Sequence, residues 1–103
     1  MLAEFAVIPL DHGTNMKEYV AHILNLVDKS GLDYELTAMG TIVEGEPMLV
    51  WPLLRDCHEA IAEMSSRVET RVVIDDKKGA TGQLVKKVRD VEEVLGRRLK
   101  TAV

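Results

Sequence analysis

The stretch Tyr34-Glu35-Leu36-Thr37-Ala38-Met39-Gly40-Thr41-Ile42-Val43-Glu44-Gly45-Glu46 decides how this chain folds. Leu32 to Thr37 and Thr41 to Gly45 are brief strand-like runs, and Ala38-Met39-Gly40 between them leaves room only for a tight reversal. Gly40 is expected to take a positive φ and let the chain turn back. The hairpin ends on the acidic pair Glu44 and Glu46, and it makes the second and third strands antiparallel neighbours.

The flanking segments complete the order. Residues 2–9 are apolar and β-branched toward their end, and Pro9 closes this first strand because it cannot donate to a ladder. After the loop Asp11-His12-Gly13-Thr14-Asn15, residues Met16, Tyr19, Val20, Ile23, Leu24 and Val27 recur at helical spacing. Thr14 or Asn15 is available as a cap, and Ser30-Gly31 provides the stop.

Beyond the hairpin, Val50, Leu53, Leu54, Cys57, Ile61 and Met64 form a second helical face, with Pro47 and Pro52 near its start. Either that helix begins at Pro52 or Pro52 kinks it. Val68 to Asp75 alternates with the period of a half-buried strand. A polar turn over residues 76–82 follows. Leu84, Val88, Val91, Leu95 and Leu99 then mark a last amphipathic helix, with Lys86/Asp90 and Arg89/Glu93 as i,i+4 pairs.

The order β-α-β-β-α-β with an added terminal helix, joined by right-handed crossovers, predicts an α+β ferredoxin-like fold. Its antiparallel sheet runs 4-1-3-2, in a single domain spanning residues 1–103. Helices cover one face. The other face shows Glu69, Arg71, Val73 and Asp75 on strand four, Glu4, Ala6 and Ile8 on strand one, and Ile42 and Glu44 on strand three. It is too apolar to lie wholly in water and is expected to pack against a second subunit.

Composition narrows the function. A chain of 103 residues buries only about 65% of its unfolded surface, which limits the stability of its own core. At 47% hydrophobic and 4% aromatic the core is aliphatic, and nothing reads as disordered or membrane-spanning. A net charge of −4 argues against a nucleic-acid partner and suits a cationic ligand. Lone Cys57 excludes an intrachain disulfide framework, and Met1-Leu2-Ala3-Glu4-Phe5 lacks a basic region followed by an apolar run, so a cytoplasmic location is expected.

In this topology strands three and four end at the sheet edge where strand two begins, so Tyr34, Glu44 and Asp75 are expected to converge. Carboxylates and a phenol suit a flat, positively charged heteroaromatic. Thr41 can donate a hydrogen bond to a ring nitrogen, but it lies three residues from Glu44 and faces the other side of a regular strand. Both can serve only if the hairpin twists or two subunits contribute. The plainer alternative is that Glu44 and Glu46 complement the dipole at the start of helix two. Asn15 reads as a helix cap rather than a ligand contact.

His12, His22 and His58 form no metal set with Cys57, because Cys57 and His58 are adjacent on a helix and point about 100° apart. Cys57 reads as core and His58 as a surface or interface residue. Nucleophile elbow, phosphate loop and dinucleotide fingerprint are all missing, so no enzyme is expected, and Cys57-His58 is the single place from which one could be argued. Trp51 reads as an interface anchor or a cap on the sheet edge. Arg97-Arg98-Leu99-Lys100 places positive charge at a helix C-terminus, which is stabilising without any partner.

Over nearly its whole length the chain resembles the thiamine-binding protein family. The resemblance lies in Ile8-Pro9 with Gly13-Thr14, Tyr19-Val20-Ala21, Ser30-Gly31-Leu32 with Tyr34, and Met39-Gly40-Thr41 through Glu44-Gly45-Glu46. It continues in Cys57-His58-Glu59, Arg67-Val68, and Ile74-Asp75-Asp76 with Lys78-Gly79. This resemblance implies a ferredoxin-like fold, dimers or tetramers, and non-catalytic cytoplasmic binding of thiamine or its pyrimidine part, in vitamin salvage or trafficking. Thiamine would be a bound ligand and no cofactor is implied. Ala38 departs from a frequent proline, Asn15 from serine and Val73 from lysine, and Pro52 stands where a helix-favouring residue is expected. The competing expectation is an oligomeric regulatory or assembly protein with a different small ligand.

Overall fold

The computed structural model describes residues 1–11 and 16–103. The cap expected from Thr14 or Asn15, and His12, lie outside the described residues.

The elements run β1 (Leu2–Pro9), α1 (Lys17–Lys29), β2 (Asp33–Leu36), β3 (Thr41–Glu44), α2 (Pro47–Ala62), β4 (Val68–Asp75) and α3 (Gln83–Leu95). They form one antiparallel sheet in the order β2-β3-β1-β4, the expected ferredoxin-like arrangement with an added C-terminal helix. β1 is an inner strand, eight residues long, whose alternate residues Ala3, Phe5 and Val7 are buried. It pairs with β4 from Leu2↔Asp75 to Pro9↔Val68, and with β3 from Leu2↔Glu44 to Phe5↔Thr41.

The period of two divides the sheet into faces. Ala3, Phe5, Val7 and Val43 point to the side covered by α1 and α2, where Ile23, Val27, Val50, Leu54, Cys57 and Ile61 complete an aliphatic core. Each of these larger side chains contributes about 1.5–3 kcal/mol by leaving water. Glu4 and Val73 stand exposed on the other face, beside half-buried Ala6, Ile8 and Ile42.

Three local expectations are corrected. Gly40 has no positive φ. A Cβ there would lie 3.0 Å from the backbone oxygen of Phe5, so the glycine lets the hairpin approach β1 rather than letting the chain reverse. The reversal itself is held by Thr37, whose N–H and hydroxyl both donate to the Gly40 carbonyl at 2.8 and 2.9 Å.

α2 starts at Pro47, in the first turn where a missing N–H costs nothing, and continues through Pro52. Pro52 forfeits the one bond to the Met48 carbonyl, which burial of Val50, Leu53 and Leu54 on the same helix offsets. α3 ends at Leu95 because Gly96 turns left-handed (φ 71°), so Leu99 is not helical. Arg89 then pairs with Glu92 at 2.7 Å rather than with Glu93, whereas Lys86 and Asp90 meet as expected at 2.7 Å.

Candidate functional site

Thr41 and Glu44 bound β3, and a cavity lies beside each. The Thr41 cavity, about 310 Å³, opens between β1, α1 and the hairpin. Phe5, Val7, Met16, Ile23, Leu24 and Met39 give it apolar walls, and no charged side chain lines it among the described residues. Thr41 is only 4% exposed, yet among the described residues nothing hydrogen-bonds its hydroxyl. No buried, unsatisfied side-chain oxygen exists among the described residues, so this hydroxyl opens into the cavity. A hydroxyl that opens into an apolar, ring-sized space can fix the orientation of a ring that enters it.

The Glu44 cleft is larger, about 630 Å³, between Glu44-Gly45-Glu46-Pro47 and the loop over residues 76–82. Asp33, Glu46 and Asp76 are exposed around it, together with Lys77 and Lys78. Glu44 itself is 8% exposed. Its carboxylate accepts the backbone N–H of Gln83 at 2.8 Å and of Leu84 at 3.0 Å, so it caps α3 from another strand.

The sheet separates the residues expected to converge. Tyr34 pairs across the ladder with Val43 and therefore faces the helices, where its hydroxyl donates to Asp28 on α1 at 2.9 Å. The hydrogen bond and negative charge of Asp28 raise the Tyr34 pKa above the ordinary phenol value. Thr41 shares that face but sits at the opposite end of β3. Glu44 and Asp75 share the open face, each opposite Leu2 of β1, which puts them two strand spacings apart, roughly 10 Å. Asp75 is ion-paired with Lys87, whose hydrogen bond and charge hold its carboxyl below the usual carboxylate range. Hence Tyr34, Glu44 and Asp75 do not form one group.

Cys57 is fully buried, as expected, and burial pushes its thiol up to about 11. His58 is half-buried, its Nδ1 hydrogen-bonded to the Thr70 hydroxyl of β4 at 2.5 Å. Trp51 is 55% exposed on α2, beside exposed Met48 and Leu49. Among the described residues no three His, Cys, Asp or Glu side chains gather as a metal site.

The fold defines the class: a small ferredoxin-like α+β domain with a helical extension. The chain belongs to the thiamine-binding protein family, whose model matches residues 3–92. It is similar to the UPF0045 protein of Methanothermobacter thermautotrophicus, 36% identical over 88% of this chain and 95% of that one. A UPF0045 protein of Mycobacterium tuberculosis is 33% identical over 92% and 94% of the two chains. Among solved structures, the hypothetical protein MJ1052 of Methanocaldococcus jannaschii superposes with a TM-score of 0.82 at 27% identity, over 89% of this chain and 95% of that one. A Thermotoga maritima protein proposed to act in thiamine biosynthesis or salvage superposes at 0.75 over 87% and 96%, a likeness of fold at 21% identity.

Proposed function

We propose that the protein binds thiamine, or the aminopyrimidine half of it, in the Thr41 cavity without transforming it. The observation that carries this reading is the Thr41 hydroxyl, which no protein group among the described residues hydrogen-bonds and which opens to an apolar space. A neutral aminopyrimidine ring matches it: ring faces meet Phe5, Ile23, Leu24 and Met39, while a ring nitrogen or the exocyclic amine engages Thr41. The cationic thiazolium half is left at the mouth, because no charged wall awaits it inside among the described residues.

Non-catalytic binding is supported by the Cys57 thiol, which at neutral pH is overwhelmingly protonated and sealed in the core. A cytoplasmic setting is supported by that single free thiol. Among the described residues no helix is long and apolar enough to cross a membrane. Val73, exposed on the open sheet face beside half-buried Ala6, Ile8 and Ile42, supports a homo-oligomer as the working form.

Calorimetry with thiamine and with the isolated aminopyrimidine alcohol tests the reading. Saturable heat from both, weakened in Thr41→Val, is the expected result; no heat and no thermal shift at millimolar ligand would remove it. The second reading is a regulatory protein for a different small ligand, favoured by the mixed charge around the larger Glu44 cleft. It requires an oligomer that ignores thiamine.

A further inference from the structure

The walls of the Glu44 cleft carry charges of both signs that do not pair with one another. Asp33 of β2 stands directly opposite Glu44 of β3 in the ladder, so both carboxylates point to the same side of the sheet. Glu46 adds a third at the N-terminus of α2. Like charges directly opposite on neighbouring strands are destabilising. Glu44 is compensated by the first N–H groups of α3. Asp33 and Glu46 are exposed, and among the described residues their side chains make no hydrogen bond or ion pair.

The other wall is the loop that leads into α3. Lys77 and Lys78 lie on it beside Asp76, and among the described residues none of these three side chains makes a hydrogen bond or an ion pair. Within the loop Ala80 donates to the Lys77 carbonyl at 3.0 Å, whereas the N–H groups of Lys78, Gly79, Thr81 and Gly82 make no hydrogen bond among the described residues. A lone cation entering the cleft meets the lysines, and a lone anion meets the carboxylates. A molecule that carries both charges can offer each wall its complement. Two adjacent ammonium groups with three donors apiece suit a phosphate, with about −1.5 to −2 charge and three acceptor oxygens, better than a single carboxylate. At about 630 Å³ the space is of the size that small-molecule sites have.

We propose that this cleft is a second binding site, for a small phosphorylated amine whose ammonium lies against Asp33 and Glu46 and whose phosphate lies against Lys77, Lys78 and the N–H groups of their loop. Glu44 lines the cleft but remains the cap of α3, with both carboxylate oxygens engaged. The site lies at the other end of β3 from the Thr41 cavity and shares no lining residue with it. The proposal is therefore independent of the vitamin reading.

Amide chemical-shift titration of the full chain tests it. Phosphoethanolamine and pyridoxamine phosphate serve as a small and a larger probe of the class, with ethanolamine and inorganic phosphate as the separated charges. At least one probe is expected to give saturable shifts at Asp33, Gly45 and Glu46 and over residues 77–82. Either separated charge should bind about tenfold more weakly, the scale of one charged hydrogen bond. Glu46→Gln, and Lys77→Ala combined with Lys78→Ala, should each weaken the probe by about tenfold. These positions are exposed, so far-ultraviolet circular dichroism should stay unchanged. No shift with either probe at millimolar concentration overturns the proposal, as do shifts centred elsewhere. So does inorganic phosphate that binds as tightly as the probes, which would mean a basic loop alone, or an affinity that either variant leaves unchanged.

Discussion

Thr41 and Glu44, three residues apart on β3, face opposite sides of the sheet at opposite ends of that strand. Thr41 offers a hydroxyl to an apolar cavity, whereas Glu44 spends both carboxylate oxygens on the first N–H groups of α3. The proposed ligand contact and the placement of the terminal helix are therefore separable by mutation.

Thr41→Val removes the hydroxyl while keeping the shape. Affinity for thiamine is expected to fall by about 0.5–1.5 kcal/mol, the net value of a neutral hydrogen bond. Stability without ligand should change little, since among the described residues no protein group hydrogen-bonds the hydroxyl that is lost. Calorimetry and thermal melts on the same preparation check both halves.

Glu44→Ala should act in the other direction. Losing a charged acceptor of two backbone N–H groups is expected to cost about 1–3 kcal/mol of stability, with loss of helicity in α3. Thiamine affinity should stay within twofold of wild type. A large drop in affinity at unchanged stability would return Glu44 to the ligand site.

Gly40→Ala sets a methyl 3.0 Å from the Phe5 carbonyl oxygen. The hairpin must move off β1, at about 1–3 kcal/mol, the usual range for overpacking. Chemical denaturation measures the cost, and Ala38→Pro at the neighbouring turn position serves as the comparison.

Glu92 introduces a pH dependence. Its carboxylate accepts the Leu99 N–H and pairs with Arg89, both at 2.7 Å, and these contacts hold its carboxyl below the usual range. A pKa depressed on folding contributes stability in full above the unfolded value, about 4.3, and loses it as pH falls through the lower folded value. Asp75, lowered by Lys87, acts with the same sign. Thermal melts from pH 7 down to pH 3 should therefore fall less steeply for Glu92→Gln than for wild type.

The strand order was legible because each signal for it is local: alternation in Val68–Asp75, the short interval between two β-branched runs, and Pro9 closing a strand. The opposition of Thr41 and Glu44 was also legible, since period two alone dictates it. The role of Glu44 was not, because the helix it caps begins 39 residues later in the sequence, and no spacing rule connects them. Gly40 was misread for a related reason. Glycine at a reversal suggests a positive φ, whereas its actual constraint is the distant backbone of Phe5. Tyr34 was drawn toward the carboxylates by its place at a shared sheet edge, and only the ladder register turns it to Asp28.

Amide chemical-shift mapping during titration with thiamine tests the central claim most directly. The account expects the largest shifts at Met39, Gly40 and Thr41, at Phe5 to Ile8, and on the α1 residues Val20 to Leu24. Shifts gathered at Gly45 and in the loop over residues 76–82, or none at millimolar thiamine, would contradict it.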